Sequence, residues 1–431
     1  MNKANTFYSY AFGCRVNEAE KEEIDRRMKE AGMEFDDKTP SIYIINTCSV
    51  THKAEREARQ LIYNVKKDLP DTKIVVTGCA ATYWQKNGLY KDLPVEMTVD
   101  NLNKEFLVDL IKKRVIGKKK TVPVRQVGTT NKFMGSGRVM VKIQDGCQRF
   151  CTFCIVPYLR GLPKSHKEND IIKAINGLAR EQMVSEVVLT AINTQAYGYD
   201  TGEKFAALVK RAVYDTKVPR ISFGSIHPWS VDEDFFKLYE DVMPQNRLVN
   251  FFHIPLQSGS NKILTLMKRG YRREEFVDKL DRIAKLNPNA FLATDVIVGF
   301  LEETEADFEE TYKFLKDSPI SKFHVFRFSR RTKTAADYMA KRLKEPTPQE
   351  KVKRSDALLE LSRKKMLAFM EKQVGRISSA LILEKEVDGY REALLDNQIP
   401  ISLRASKDMA SVIKNVKIIE FKNGRLFGRI V

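Results

Sequence analysis

Three thiols stand close together in Asp145-Gly146-Cys147-Gln-Arg-Phe-Cys151-Thr-Phe153-Cys154-Ile-Val-Pro157, a Cys-x3-Cys-x2-Cys run with glycine before it and proline after it. Both flanking residues break helices, so the run reads as a loop able to wrap a compact inorganic centre. A structural zinc site takes four ligands, usually as two short pairs. Three cysteines with no fourth in reach suit an iron–sulfur cluster better. One metal then lacks a protein thiolate, and an open coordination position is where a substrate or cofactor can bind metal directly. Cys147, Cys151 and Cys154 are therefore candidate catalytic residues as well as candidate metal ligands.

The other three cysteines each follow a strand-like apolar run. Phe7-Tyr-Ser-Tyr-Ala-Phe leads to Gly13-Cys14, Ile42-Tyr-Ile-Ile to Asn46-Thr-Cys48, and Lys73-Ile-Val-Val-Thr to Gly78-Cys79. Helical patterns follow two of them: Val16, Ala19, Ile24, Met28 and Ala31 before Gly32, then Ala54, Ala58, Leu61, Ile62, Val65 and Leu69. In a parallel sheet wound by such helices, the carboxyl ends of all strands emerge on one edge, where these folds bind ligands. Topology thus brings Cys14, Cys48 and Cys79 together as a second three-thiolate site, and the two sets use all six cysteines of the chain.

The elements that must position these sites fit a chain of 431 residues with 43% apolar composition, which predicts two or three domains. No apolar run approaches the roughly 20 residues of a membrane span, and Met1–Thr6 carries no apolar signal core. A cytoplasmic location is expected, where thiols stay reduced and free for metals. A formal net charge of +18 favours a polyanionic partner, RNA foremost, the alternative being a basic surface that serves solubility alone.

Residues 1–115 read as an amino-terminal doubly wound parallel sheet. Between Lys112 and Lys132 stand eight Lys or Arg and no Asp or Glu, the composition of a basic linker. Residues 133–365 carry strand patterns near Val139–Ile143, Glu186–Thr190, Ile221–Ile226, Val249–Ile254, Leu292–Val298 and Phe323–Phe328, with helical patterns such as Ile171, Ile172, Ile175 and Leu178 between them. Six such units predict a partial (β/α)6 barrel whose active site gathers at the strands' carboxyl ends, the Cys147 loop following the first. The loop His253-Ile-Pro-Leu-Gln257-Ser258-Gly259-Ser260 offers polar groups to a small polar cofactor at that end. A long helix over Gln349–Lys372 leads to residues 373–431. There Ile377, Ala380, Leu381 and Leu383, then Val416, Ile418 and Phe421, with an Asn423-Gly424 turn, predict a small all-β barrel. Residues 341–431 hold 20 Lys or Arg against 12 Asp or Glu, as an RNA-gripping module should.

The Cys147 loop resembles the cluster-binding loop of the radical S-adenosylmethionine (SAM) enzymes. Its flanks, Val141-Lys-Ile-Gln-Asp-Gly-Cys147 and Cys154-Ile-Val-Pro-Tyr-Leu-Arg160-Gly161, resemble those of the methylthiotransferases, and within that family the threonylcarbamoyladenosine tRNA enzymes. Gly13-Cys14-Arg-Val-Asn-Glu, Asn46-Thr-Cys48-Ser-Val-Thr and Gly78-Cys79-Ala are similar to the signatures of that family's amino-terminal domain. Ile254-Pro-Leu-Gln-Ser-Gly-Ser and Met267-Lys-Arg-Gly-Tyr271 match it too, and the last module resembles a TRAM domain.

The resemblance implies two [4Fe–4S] clusters. One, on Cys147, Cys151 and Cys154, would bind SAM through its open iron, and one electron would generate a 5′-deoxyadenosyl radical. The other, on Cys14, Cys48 and Cys79, would hold or donate sulfur, and a second SAM would supply methyl. Gln257, Ser258, Asn193 and Phe153 are the implied cofactor contacts. The implied product is a methylthio group at C2 of threonylcarbamoyl-modified adenosine beside the tRNA anticodon, with a flavodoxin-type reductant as electron donor. Isopentenyl adenosine in tRNA and a ribosomal-protein aspartate are alternative substrates; a non-catalytic iron–sulfur RNA-binding sensor is the alternative from another class. Two places depart from the family pattern: Ala191 stands where relatives usually carry Gly, and Leu301-Glu302 replaces Pro-Gly before Glu303-Thr304. In Arg160-Gly161-Leu-Pro-Lys164-Ser-His166 only Arg160 is expected to contact phosphate or carboxylate.

Overall fold

The computed structural model describes residues 6–116, 137–181 and 184–431; most of the basic linker expected over Lys112–Lys132 lies outside them. The amino-terminal unit is a five-stranded, wholly parallel sheet of β1 (Thr6–Ala11), β2 (Glu34–Phe35), β3 (Ile42–Thr47), β4 (Lys73–Gly78) and β5 (Met97–Val99), ordered β2-β1-β3-β4-β5. Helices α1 (Arg15–Glu30), α2 (His52–Asp68) and α3 (Cys79–Lys86) follow β1, β3 and β4. The apolar stripes do what their spacing dictates. Val16, Ala19, Ile24 and Met28 of α1 are buried, as are Ala58, Ile62 and Val65 of α2, and Gly32 turns the chain at φ +79°. β2 and β5 are two and three residues long, too short to show a period in sequence.

The central unit has six parallel strands: β6 (Arg138–Asp145), β8 (Glu186–Ala191), β9 (Arg220–Phe223), β10 (Phe251–His253), β11 (Phe291–Val298) and β12 (Lys322–Arg327). A two-residue β7 (Lys164–Ser165) adds antiparallel to β6. The ladder breaks between β9 and β10, where a bridge from Ile221 to Leu248 and the bond from Ile226 N to His253 O (2.9 Å) carry it on. The expected strand over Ile221–Ile226 therefore ends early, its backbone already turning at Gly224. The main core lies outside the strands, where Val139, Val141, Val187, Leu189 and Phe252 meet the covering helices.

The last unit is a closed five-stranded barrel, β13 (Ile377–Val387), β14 (Tyr390–Leu395), β15 (Pro400–Leu403), β16 (Ile413–Lys422) and β17 (Arg425–Ile430), ordered β13-β14-β15-β17-β16. The helix Pro348–Glu371 leads into it. Asn423 and Gly424 form the two-residue hairpin turn, at φ +51° and +75°, as their types demand. The inward face differs from the expected one. Ile377 is 61% exposed and Leu383 half-buried, while Ala380 and Ile382 join the barrel core, so the even-numbered positions of the strand point inward, and Leu381 is buried outside that core cluster.

These units pack on the central strands at different places, one where two of them begin and the other in their lumen. The small barrel shares a cluster with Phe251 and Phe291, where β10 and β11 begin. The amino-terminal sheet docks on the inner face: Ala19 of α1 packs on Met140 and Val188, and Arg15 donates to the carbonyls of Phe223 (2.8 Å) and Gly224 (3.2 Å). Helix α1 thus fills the lumen beside β6, β8 and β9. The space left open lies beside β10, β11 and β12.

Candidate active site

Cys14 immediately precedes α1, Cys48 follows β3, and Cys79 opens α3. Glycines permit the convergence. At Gly13 (φ +89°) a Cβ would stand 2.6 Å from Cys48 Sγ, and at Gly78 (φ +99°) it would stand 2.3 Å from Thr47 O. The strand ends approach so closely that only a residue lacking Cβ fits beside each sulfur. The Cys48 thiol is pushed up to about 12, chiefly by burial and further by Cys79 and Cys14, against the opposing Val50 N–H and Arg160.

The Cys147 loop sits just below. Cys79 packs on Ile155 and Leu159, the residues following Cys154. Cys147 N donates to Gly161 O (3.0 Å), and Thr152 N to Met267 O (3.1 Å), which closes the loop at both ends. Burial first, then Cys151 and Cys147, push the Cys154 thiol up to about 12 despite the Val156 N–H. Both trios attract donors. Arg269 Nη1 lies 3.3 Å from Cys151 Sγ and Asn193 Nδ2 lies 3.4 Å from Cys147 Sγ; Arg160 Nε lies 3.3 Å and Asn101 Nδ2 3.5 Å from Cys79 Sγ.

All six thiols are free, and neither trio is compact enough for one ion. Among the described residues, the one set of three His, Cys, Asp or Glu ligand atoms within 4.8 Å of one another is His253, Asp295 and His324. Soft donors spread over a wider span, with N–H groups aimed at the sulfurs, are the environment of an iron–sulfur cluster rather than a zinc ion. Metal loading would draw protons from Cys48 and Cys154, since the thiolate is the ligand.

A cavity of about 170 Å³ adjoins Cys154, lined also by Phe153, Gln257, Asp295, Ile297 and Phe326. Gln257 is held at φ +82° by Gln257 N to Asp295 O (2.9 Å) and Ile297 N to Gln257 O (2.8 Å), a left-handed backbone fixed against β11. Asp295 accepts from His253 Nε2 (3.0 Å) and His324 Nδ1 (3.4 Å), and these bonds hold its carboxyl down at about 2 against its burial. Val50, Thr51 and Ser329 complete the wall, and the cavity continues past Thr51, Phe326 and Arg327 into a cleft of about 920 Å³.

Of the expected cofactor contacts, Phe153 and Gln257 line this cavity. Asn193 instead reaches Cys147 Sγ, while Ser258 is fully buried with its hydroxyl on Thr311 Oγ1 (3.3 Å) and Ser260 N (3.2 Å), so that side chain braces the loop. Arg160 is buried on the carboxylates of Glu20 and Asp145 and meets no solvent where phosphate could bind. The two departures are accommodated: Ala191 ends β8 beside the core, and Glu302 takes φ +59°, its N–H bonded to Lys344 O (2.8 Å). Arg269, Asp295 and His324 were not singled out in the sequence. Arg269 lies within the quoted Met267–Tyr271 run, and the other two had no local signal.

Residues 141–315 match the model of the Radical SAM superfamily, and residues 6–99 match that of "Uncharacterized protein family UPF0004". The threonylcarbamoyladenosine tRNA methylthiotransferase of Aquifex aeolicus is 34% identical over 93% of this chain and 97% of its own; that of Bacillus subtilis is 34% identical over 95% and 93%. The chain belongs to the radical SAM methylthiotransferase family. The tRNA-2-methylthio-N(6)-dimethylallyladenosine synthase of Buchnera aphidicola is 30% identical over 99% of this chain and 98% of its own. Among solved structures, the radical SAM methyltransferase TsrM of Kitasatospora setae, with cobalamin and a [4Fe–4S] cluster bound, superposes with TM-score 0.51 at 11% identity over 75% of each chain, a likeness of fold alone. As a methylthiotransferase the protein uses [4Fe–4S] clusters and SAM, which agrees with the donor sets above. Among the described residues no helix is long and apolar enough to cross a membrane.

Proposed function

We propose that this methylthiotransferase acts on tRNA in the cytoplasm and adds a methylthio group at C2 of N6-threonylcarbamoyladenosine beside the anticodon. The observation that carries the choice of nucleoside is the polar continuation of the cavity. The acids of the adjoining cleft are already paired, Asp337 with Arg330 (3.5 Å) and Glu345 with Lys351 (2.5 Å), whereas the exposed guanidinium of Arg327 has no ionic or hydrogen-bonding partner among the described residues. A spare cation at the cavity's exit suits a substituent ending in a carboxylate, which an isopentenyl tail lacks. The Bacillus subtilis and Aquifex aeolicus relatives are named for that substrate.

Cys147, Cys151 and Cys154 would hold the cluster that binds SAM, and Cys14, Cys48 and Cys79 would hold the cluster that supplies sulfur. Bound SAM supplies a hydrogen-abstracting radical and, from a second molecule, methyl, chemistry that side chains do not provide. The chain's own part is geometric. Phe153 and Gln257 wall the cavity beside Cys154, Phe326 and Ile297 give it an apolar lining, and Asp295, clamped by two imidazoles, presents a fixed acceptor. A flavodoxin-type reductant supplies the electron. Residues 1–115, 133–365 and 373–431 divide the labour, the last as a TRAM-like RNA grip. On its β16–β17 face Lys417 stands opposite Arg429 and Lys422 opposite Arg425, all exposed and without ionic partners among the described residues. Like charges across a strand pair cost stability unless a polyanion covers them.

Mass spectrometry of tRNA nucleosides from a deletion strain tests the assignment. Loss of the 2-methylthio form of threonylcarbamoyladenosine is the expected result. Loss of 2-methylthio-isopentenyladenosine instead would move the substrate to that of the Buchnera aphidicola relative.

A further inference from the structure

The two thiol trios are joined through one side chain. Arg160 closes the short helix Val156–Arg160 that follows Cys154, and its side chain is 1% exposed. Its Nε donates to Cys79 Sγ at 3.3 Å. Nη1 donates to Glu20 Oε1 (2.7 Å) and to both oxygens of Asp145 (2.9 and 3.0 Å), and Nη2 to Asn17 Oδ1 (2.8 Å) and Glu20 Oε2 (3.2 Å). Asp145 in turn accepts from Gly146 N (2.8 Å), the residue before Cys147. Glu20 is further neutralised by Lys104 (2.6 Å) and Lys142 (3.1 Å), so the carboxylates remain compensated and the guanidinium keeps a share of its positive charge for the sulfur.

We infer that Arg160 is a positioning residue which raises the reduction potential of the cluster on Cys14, Cys48 and Cys79 and fixes that cluster against the Cys147 loop. This rests on the cluster assignment proposed above. A hydrogen bond and a cation at a ligating sulfur stabilise the more negative, reduced cluster, and thiolate hydrogen bonding is among the protein's main controls of potential. Burial keeps the interaction from being screened. The fork shape matters as well: one planar group meets a sulfur and two carboxylates at fixed angles, which an ammonium cannot do.

The test uses the full-length chain with Cys147, Cys151 and Cys154 all replaced by Ala, reconstituted anaerobically so that only the amino-terminal trio can hold iron. Iron per chain is counted and the midpoint potential measured by an EPR-monitored redox titration. Arg160→Met should lower the potential with iron retained. Arg160→Lys, which keeps the charge without the fork, should fall between Met and the parent. An unchanged potential in both variants, with iron present, overturns the inference. If Met loses its iron, the Lys variant decides: a lowered potential supports the inference and an unchanged one refutes it. Absence of iron in the parent instead overturns the cluster assignment, and the inference with it.

Discussion

Replacing Arg331 with Met should unlatch the amino-terminal sheet from the barrel. Arg331 lies just beyond β12 with its side chain 1% exposed. It donates to Ser49 Oγ (2.9 Å) and Glu55 Oε2 (2.5 Å), meets His52 Nδ1 (2.9 Å), and lies over the Tyr83 ring at 5.1 Å. Ser49 is the residue after Cys48, so the latch lies next to a proposed ligand. Met fills much of the volume over Tyr83 but removes every donor. Glu55, whose side chain is 11% exposed, then keeps only the Trp84 Nε1 bond of 2.7 Å. Breaking a buried pair by deleting one partner costs about 3–5 kcal/mol; the residual exposure of Glu55 and its surviving bond place this case near the lower end, at about 3 kcal/mol. Adding Glu55→Gln, which discharges the stranded carboxylate, should return about 1–2 kcal/mol. Urea unfolding of the cluster-free chain, followed by tryptophan fluorescence, measures both, since Trp84 sits inside the network. A loss below about 1 kcal/mol for Arg331→Met, or additivity of the two substitutions, would refute the latch.

Gly78→Ala should cost about 3 kcal/mol, because φ +99° with ψ −169° is a region open essentially to glycine and the new methyl would meet Thr47 O at 2.3 Å; reconstituted iron should fall to that of the Cys147 trio alone, as read by iron counting. Asp295→Asn should narrow its stability gap to the parent as acid is added. The parent carboxyl is held at about 2 against an ordinary 3.8, so its contribution of about 2.5 kcal/mol is present above pH 4 and is lost as the pH falls towards 2. Thermal melts at pH 7 and pH 3 measure the change, and an equal gap at both would count against the His253–Asp295–His324 clamp.

Much of this was legible in the sequence because its signals are local. A cysteine directly after an apolar run, with glycine before it, marks a strand end whose backbone must approach a neighbour; Gly13 and Gly78 do this with Cys48 and Thr47. The Cys147 loop announces itself by spacing, and Asn423-Gly424 announces its turn. What the sequence hid is set by distance along the chain. Arg331 and Ser49 are 282 residues apart, and Arg160 and Cys79 are 81 apart. No period connects such pairs, and a buried arginine looks in sequence like an exposed one. β14 and β15 were missed for a different reason. Tyr390–Leu395 alternates, but charged Arg391 is buried on Glu384 O and Ala405 O, so its apolar face is not the whole of its buried face.

The placement of α1 explains how the two thiol trios come to lie side by side. A six-stranded partial barrel has a lumen too open to exclude water, and a parallel sheet's ligand edge has no roof. Docking α1 against Met140 and Val188 solves both problems at once. It plugs the β6–β8–β9 side, leaving the open space beside Cys154 and the cleft that continues from it, and it places the carboxyl edge carrying Cys14, Cys48 and Cys79 over the Cys147 loop. The polar residues on α1 that this demands, Asn17 and Glu20 among them, are buried and would be costly alone. Arg160, Lys104 and Lys142 compensate them, so the same charges that let the helix enter the lumen also tie one trio of thiols to the other.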